Sequence, residues 1–232
     1  MVESKSSKLL ESLRESQSLD ELRGGFTELC EYYNMDRFIF VNCPSNGTVL
    51  NVETTNNFPQ GLIEFYLQSN YHPHDPRYYN RGRIHVPFSW DLKWMSSFGP
   101  IQKEFSSCSY DFSIKYGTLL PSLPYDHGQM FLNVLDHTNI NPSTLHMLSI
   151  GLILYEERKA YLARNEKIKL LTSREKEILN LYSKGFTWKA IAKPLGITEN
   201  TVAFHLKNLR QKLGVHSSAQ ALFIYNSLPT KP

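Results

Sequence analysis

Apolar positions recur with two different periods along the first two thirds of the chain. A helical period links Leu9, Leu10 and Leu13, and a second one runs from Leu22 to Tyr33, opened by a capping box of Ser18 and Glu21. Alternating or continuous apolar runs instead predict two hairpins. The first pairs "RFIFVNC" with "TVLNVE" across the turn "PSNG", and the second pairs "TLLPSL" with "QMFLNVLD" across "PYDHG".

Three further helices are predicted around these hairpins. Pro59 opens "PQGLIEFYLQSN", a second helix lies in "FGPIQKEFSSCSYDFSIKYG" and ends at Gly117, and Asn141-Pro142 begins a long helix. The stretch "DPRYYNRGR" is expected to be a turn or a short helix. This order of elements favours an α+β fold in which helices cover both faces of an antiparallel sheet.

The last third of the chain shows only helical signals. Thr172 with Glu175 caps one helix, Thr187 caps a short one that Pro194 and Gly196 end, and Thr198 caps a third. The fourth is "SSAQALFIYNS", with Ala219, Leu222 and Phe223 on one side. The polar stretch "LARNEKIK" is the expected linker, which gives a first domain at 1–165, a linker at 166–171 and a helical domain at 172–232.

The third of these helices has two contrasting faces. Val202, Leu206, Leu209 and Leu213 share the packed face. The opposite face holds no acidic residue; its members are Asn200, Ala203, Phe204, Lys207 and Gln211. Two short helices of this kind make a helix-turn-helix, whose second helix can read DNA. A solvated face of a small helical domain fits the periodicity equally well.

Charge separates the two parts of the chain. Residues 1–165 have a net charge of −4, whereas residues 166–232 have one of +7. A basic domain on an acidic body suggests that only the second part meets a polyanion. No apolar run is long enough to span a membrane and no signal peptide is evident, so we expect a cytoplasmic protein. Cys30, Cys43 and Cys108 form neither a disulfide framework nor a zinc motif.

Residues 171–226 strongly resemble the DNA-binding domain of LuxR-type transcription regulators. The resemblance depends on Glu175, Leu179 and Gly185, then on "GITENTV" and "HLKNLRQKLGV". It implies a homodimer on a two-fold site in double-stranded DNA, with RNA polymerase as a further partner. Ala203 replaces a common basic or polar residue, and Pro194 replaces a helix former, so the second helix is expected to end early. The implied DNA-binding residues are Trp188, Thr198, Asn200, Thr201, Ala203, Phe204, Lys207, Asn208, Arg210 and Gln211.

The first domain resembles the branch of this family that binds acyl-homoserine lactones in an α–β–α sandwich. Tyr66, Asp75, Pro76, Trp90 and Gly117 match that branch in identity and spacing. Aromatic walls suit an apolar cavity, and Asp75 would accept a hydrogen bond from the amide of the signal. A phosphorylated receiver is excluded, because the acidic cluster and the βα repeats that it needs are missing.

Two positions depart from that branch. Leu62 stands where a tryptophan usually donates to the lactone carbonyl, and Phe58 stands where a tyrosine is common. Recognition of lactones should therefore be weak or relaxed unless Arg77, Asn133 or a water supplies the missing donor. The signal is a lactone or an analogue; the alternative is a regulator controlled by another small molecule or by a protein partner. The expected ligand-binding set is Phe58, Leu62, Tyr66, Asp75, Arg77, Trp90, Gly117 and Asn133.

Neither a catalytic constellation nor a Gly-rich phosphate loop appears in the sequence. The motif "HPHD" could suggest a metal site, but His72 and His74 have no third ligand at metal spacing. We therefore expect surface histidines, no metal, no cofactor and no enzymatic activity.

Overall fold

An antiparallel sheet of five strands lies between two sets of helices in the first part of the chain. The computed structural model describes residues 5–35, 37–43, 51–54, 58–78, 86–122, 129–137 and 139–226. Two compact units divide the chain, Met1–Arg158 and Lys159–Pro232. The helices are α1 (Lys5–Glu15), α2 (Leu19–Tyr32), α3 (Gln60–Gln68), α4 (Leu92–Ser96), α5 (Pro100–Asp111), α6 (Pro142–Lys169), α7 (Ser173–Ser183), α8 (Trp188–Leu195), α9 (Glu199–Leu213) and α10 (Ser218–Asn226).

The sheet has the strand order β2-β1-β5-β4-β3. Both predicted hairpins contribute to it, and β5 lies at the centre between β1 and β4. The sequence pattern did not predict β3, because "FSWD" is too short to show an alternation. The strands are β1 (Phe38–Cys43), β2 (Asn51–Thr54), β3 (Phe88–Asp91), β4 (Tyr116–Pro121) and β5 (Gln129–Leu135). The predicted turns "PSNG" and "PYDHG" and the second half of "DPRYYNRGR" lie outside the described residues.

One face of the sheet packs against α2 and the first part of α6. Phe40 stacks on Tyr155 with their ring centroids 4.7 Å apart, and Phe26 meets both rings. Gly151 allows the two helices to approach closely, since a Cβ atom there would lie 2.4 Å from Leu29 Cδ2. Helix α2 buries here most of the apolar side that its helical period predicted.

The opposite face carries a second, more aromatic cluster beneath α3 and α5. Because side chains alternate along a strand, Val41, Phe131 and Trp90 point to this face, where they join Leu62 and Phe105. Helices on both faces of an antiparallel sheet give the α–β–α sandwich that was predicted.

The helix predicted to end at Gly117 ends earlier. Helix α5 stops at Asp111, because Ser113 adopts a left-handed conformation (φ 60°) and its N–H donates to Tyr110 O at 2.9 Å. A polar residue in the left-handed region ends the helix as a glycine would. Gly117 instead lies in β4, so the prediction for this helix end was wrong.

In the second unit α7, α8 and α9 have the predicted caps. Thr172 and Glu175 form the capping box, while Thr187 and Thr198 each accept a backbone N–H at a helix start. Helix α8 does not end early: it runs through Pro194 to Leu195, and Gly196 closes it with a left-handed φ of 62°. A proline in the last turn removes only one hydrogen bond, which explains why the helix tolerates it.

The predicted apolar side of α10 is divided between core and solvent, and of its three residues only Leu222 packs against the core of the second unit. Ala221 is the buried residue, whereas Ala219 and Phe223 are exposed. Four apolar residues in succession, "LFIY", allow more than one choice of inner face, and contacts with α7 and α9 decide between them.

The expected linker is helical. Helix α6 continues without a break through "LARNEKIK" to Lys169, because the stretch contains neither glycine nor proline and its residues are compatible with a helix. The low hydrophobicity of this stretch therefore reflects an exposed helix and not a loop. Among the described helices none is long and apolar enough to cross a membrane.

Candidate functional site

A small cavity opens on the aromatic face of the sheet in the first unit. Its volume is about 40 Å³, enough for a few water molecules. Six of the eight predicted ligand-binding residues line it, namely Phe58, Leu62, Tyr66, Arg77, Trp90 and Asn133. The lining residues that the sequence reasoning missed are Ile39, Val41, Val52, Ile63, Tyr78, Phe105, Ser109 and Ile114. The alternation within β1 could have indicated Ile39 and Val41, since both share a sheet face with Asn133.

Asp75 lies behind the cavity wall, where it forms a buried ion pair with Arg77. Arg77 Nε lies 2.9 Å from Asp75 Oδ1, and Arg77 Nη2 lies 2.7 Å from Oδ2. The Arg77 backbone N–H donates to Oδ1 as well, at 3.0 Å. Side-chain exposure is 8% for Arg77 and 0% for Asp75, so this bidentate pair is shielded from water. Burial disfavours the guanidinium charge, but Asp75 outweighs it and raises the pKa of Arg77 above its usual range.

Tyr66 joins this pair from α3. Its hydroxyl lies 3.2 Å from Asp75 Oδ2 and 3.1 Å from His72 Nδ1. Burial, reinforced by the Asp75 charge, raises the pKa of Tyr66 well above its usual value, so the phenol stays protonated. His72 is buried, and the prediction that both histidines of "HPHD" lie on the surface was wrong for this one; His74 is exposed.

Trp90 contacts two polar side chains of the cavity, those of Asn133 and Arg77. Its indole N–H donates to Asn133 Oδ1 at 2.9 Å, and the guanidinium carbon of Arg77 lies 4.7 Å from its ring centroid. Gly117 pairs with Trp90 across β3 and β4 and does not line the cavity. A Cβ atom at Gly117 would lie 2.9 Å from the Trp90 ring and 2.6 Å from Val134 O, so the role of this glycine is to let the indole pack on the strand.

Leu62 and Phe58 contribute apolar surface to the cavity. Both side chains are buried, with exposures of 5% and 6%. Neither can donate a hydrogen bond, so the polar part of the lining comes from other residues, namely Tyr66, Arg77, Tyr78, Trp90, Ser109 and Asn133. Ser109 already donates to Phe105 O within α5, at 2.8 Å.

The second unit presents the predicted two-faced helix. Val202, Leu206, Leu209 and Leu213 are all at most 1% exposed. On the opposite face Asn200, Phe204, Lys207 and Gln211 are exposed, and Ala203 is half-buried between them. Phe204 is 59% exposed, which is unusual for a large apolar side chain on a basic helix.

The other predicted DNA-binding residues surround this face. Trp188 at the start of α8 is 45% exposed, and Asn208 and Arg210 are half-buried. Thr198 and Thr201 bond to each other through their hydroxyls at 2.8 Å, at the N-terminus of α9. Such a terminus, together with donors on an acid-free face, is suited to phosphate and base edges.

Glu175 of α7 contacts α9 through Lys212. Its carboxylate accepts from Thr172 N at 2.8 Å and from Lys212 Nζ at 2.7 Å, while the Glu175 side chain is 3% exposed. Burial raises its pKa, but the bonds from Lys212 and Thr172 outweigh burial and lower it. The charged carboxylate therefore ties the start of α7 to the end of α9.

The chain is similar to known proteins over both units. The family model "Autoinducer binding domain" matches residues 18–128, and "Bacterial regulatory proteins, luxR family" matches residues 169–224. The transcriptional activator ExpR of Dickeya dadantii is 31% identical over 186 residues, which cover 72% of this chain and 73% of ExpR. The transcriptional activator LuxR of Aliivibrio fischeri is 22% identical over 223 residues, with 92% of this chain and 88% of LuxR covered.

Solved structures share the fold. The crystal structure of Escherichia coli SdiA matches with a TM-score of 0.53 and 19% identity, covering 96% of this chain and 95% of SdiA. CepR2 of Burkholderia cenocepacia matches with a TM-score of 0.51 and 13% identity over 69% of this chain and 97% of CepR2. With an autoinducer-binding domain followed by a DNA-binding helix-turn-helix, the chain belongs to the LuxR family of bacterial transcription regulators, a family without enzymatic activity.

Proposed function

We propose that this regulator encloses a small amphiphilic signal in the first unit and, as a homodimer, binds a two-fold symmetric DNA site. The observation that carries the signal proposal is the cavity itself, in which buried polar groups meet aromatic walls. A few polar groups in an apolar lining are typical of sites for small molecules. The signal is an acyl-homoserine lactone or a related molecule with an apolar tail.

The two-fold symmetry of the DNA site follows from the reach of one recognition helix. A helix of 15 residues such as α9 contacts only a few base pairs, so two copies are needed for useful specificity. Helix α10 supports dimer formation, because Phe223 is 73% exposed beside the half-buried Leu222. An exposed apolar surface of this kind suits pairing with the same surface of a second copy. RNA polymerase in the cytoplasm is the further partner that we propose for such a regulator.

DNA binding with and without a signal tests this function. Fluorescence anisotropy would measure the affinity of the full chain for a two-fold DNA site, without ligand and with N-octanoyl homoserine lactone or octanoylglycerol. The second probe is chosen because one structure of SdiA is a complex with octanoyl-rac-glycerol. We expect at least one probe to change the DNA affinity by about threefold or more, in either direction. An unchanged affinity with every probe would count against signal control.

The alternative is a regulator that a protein partner or a different small molecule controls. The small volume of the cavity favours it, since a long acyl tail needs the surrounding side chains to move. Under this alternative, lactones neither bind to the chain nor alter its DNA affinity, whereas a cell extract does.

A further inference from the structure

The segment at residues 71–78 positions two residues of the expected ligand-binding set. It contains a short 3-10 turn, His72–His74, followed by Asp75 and Arg77. Arg77 lines the cavity, and its guanidinium carbon lies 4.7 Å from the centroid of the Trp90 ring. A displacement of this segment would therefore move the buried ion pair relative to the cavity.

The backbone hydrogen bonds within the segment shape it but do not fix its position. His74 N donates to Tyr71 O at 2.8 Å, and Tyr78 N donates to Asp75 O at 3.0 Å. Both bonds join residues three positions apart, so they persist if the segment moves as a unit. Contacts with neighbouring elements are therefore needed to hold it in place.

Helix α5 provides an aromatic contact to the segment. The ring of Tyr71 stacks on that of Phe105, with centroids 4.1 Å apart and an angle of 13° between the ring planes. Stacked rings tolerate a lateral shift, because an offset arrangement is itself favourable. This contact sets the spacing between the segment and α5 but not their register.

Gln102 of α5 supplies a contact with a stricter geometry. Its side-chain Nε2 donates to His74 O at 2.7 Å, and the residue is 6% exposed. A carbonyl oxygen only accepts, so the N–H side of the amide must face the segment. Oε1 lies beside Gly99, where a Cβ atom would be 3.2 Å from it, so this glycine leaves room for the amide in that orientation.

The two contacts act on the same face of α5. Gln102 and Phe105 are three residues apart, and positions with this spacing are neighbours on a helix. A hydrogen bond weakens steeply beyond about 3.5 Å, so a shift of the segment by about 1 Å would break the one from Gln102. The broken bond would leave a buried amide without its acceptor, and this cost opposes the shift.

We propose, on the basis of the proposed signal binding, that Gln102 is a positioning residue of the signal site. Its hydrogen bond to His74 O fixes the register of the 71–78 segment on α5 and thereby the positions of Asp75 and Arg77. Gln102 does not line the described cavity, so it acts on the signal only through this segment. Such a role is sensitive to small displacements, because a polar group that is about 1 Å out of place no longer forms a good hydrogen bond.

Hydrogen exchange tests the first step of this proposal without any ligand. Gln102→Met removes the donor and keeps most of the side-chain volume. Mass spectrometry on the full chain would measure the exchange of backbone amides at residues 71–78. We expect this exchange to be about tenfold or more faster in the variant, because the segment opens more often. An unchanged exchange rate in a folded variant would contradict the proposal.

Thr118→Val is the matched control for the loss of one buried hydrogen bond. Thr118 is 3% exposed, and its hydroxyl also donates to a backbone oxygen at 2.7 Å, that of His137. It points to the sheet face opposite the cavity, since its neighbour Leu119 belongs to the cavity face. Both variants should melt about 2–8 °C lower than the unchanged chain, but Thr118→Val should leave exchange at residues 71–78 unchanged.

Isothermal titration calorimetry tests the second step. The probes are N-octanoyl homoserine lactone and octanoylglycerol, each titrated into the full chain. We expect Gln102→Met to bind the tighter of the two about fivefold or more weakly, and Thr118→Val to bind it within about twofold of the unchanged chain. Equal losses of affinity in the two variants would trace the effect to general destabilisation and overturn the proposal.

Gln102→Asn covers the case in which the methionine variant does not fold. Its amide is polar but shorter by one methylene, so it does not reach His74 O at bonding distance, and we expect the same two losses. Failure of the unchanged chain to bind either probe contradicts the proposed signal binding, and the inference falls with it. Equal affinities of the unchanged chain and a folded Gln102 variant instead leave the proposed function intact and remove only the inference.

Discussion

The position of the Trp90 indole depends on Gly117, because a side chain at residue 117 would occupy the space that the indole fills. At Gly117 a Cβ atom would meet the backbone oxygen of Val134 at 2.6 Å, and a main-chain atom cannot move away cheaply. The indole would have to shift as well, and with it the bond to Asn133 and the contact with Arg77. One residue outside the cavity thus positions three that surround it.

The substitution Gly117→Ala should destabilise the first unit by about 1–3 kcal/mol, because overpacking forces the sheet and the indole apart. Chemical denaturation followed by circular dichroism measures this. Gly24→Ala is the matched control: it lies within α2, and its Cβ atom would meet nothing within 4 Å. Alanine there should stabilise the chain by about 0.5–1 kcal/mol. Equal effects of the two substitutions would contradict the packing argument.

At this scale the sequence could predict six of the residues that line the cavity, but neither the eight others nor how the residues pair. Tyr66, Trp90 and Asn133 follow from motif matches and aromatic character. The engagement of Asp75 by Arg77 depends on the turn at residues 75–78, where Tyr78 N donates to Asp75 O and the side chains of Asp75 and Arg77 meet. Such a local ion pair has no periodicity that a pattern could show.

Among the elements, α9 depends on Glu175 for its position relative to α7. Glu175→Gln removes the charge that Lys212 and the helix start share, so we expect a loss of about 1–2 kcal/mol at neutral pH. Since the pKa of Glu175 is lowered in the fold, its stabilisation is present above the unfolded value of about 4.3 and is lost as the pH falls through the folded value. Thermal unfolding between neutral and acidic pH measures the loss.

The exposed pair of Glu177 with Arg174 provides the control for this measurement. Glu177 is 52% exposed in its side chain, so Glu177→Gln should change stability by less than about 0.5 kcal/mol. The difference between the two variants should vanish at low pH, where the carboxyl group of Glu175 is protonated in the unchanged chain. A difference that persists there would mean that the charge of Glu175 is not what holds α7 to α9.

The exposed face of α9 should carry the DNA contacts. Lys207→Ala should weaken DNA binding by about 1–3 kcal/mol without lowering the melting temperature, because the side chain projects away from the buried face. If the contact is to phosphate, the salt dependence of binding also decreases by about one unit of slope. Lys8→Ala removes the same charge from the first unit and should leave the DNA affinity unchanged. Equal affinities of the two variants would contradict the assignment of this face.

How far the elements could be predicted varies along the chain. Caps at Thr172, Thr187 and Thr198 and the apolar face of α9 were predicted correctly, because both signals are local. The division of α10 between core and solvent and the extent of α6 could not be predicted, since a helix that is apolar on several sides and a helix with no clear apolar face give no clear period. Only packing against other elements resolves such cases.

For the molecule as a whole, the proposed homodimer places the exposed Phe223 of α10 in the contact between two copies. Phe223→Asp should weaken dimer formation and DNA binding while leaving the fold intact, because this side chain is 73% exposed in the single chain. Light scattering on the complex with a two-fold DNA site gives the stoichiometry. Leu19→Asp, at a 46% exposed position of the first unit, is the control and should leave a dimer on DNA. A monomeric complex of the unchanged chain would contradict the dimer proposal.

The measurement that tests the central claim most directly is mass spectrometry of small molecules released from the purified full chain. We expect about one molecule per chain, an acyl-homoserine lactone or a related molecule with an apolar tail. Two results together would contradict the account of a signal-controlled regulator. The folded chain would release no such molecule, and its DNA affinity would be equally high with and without cell extract.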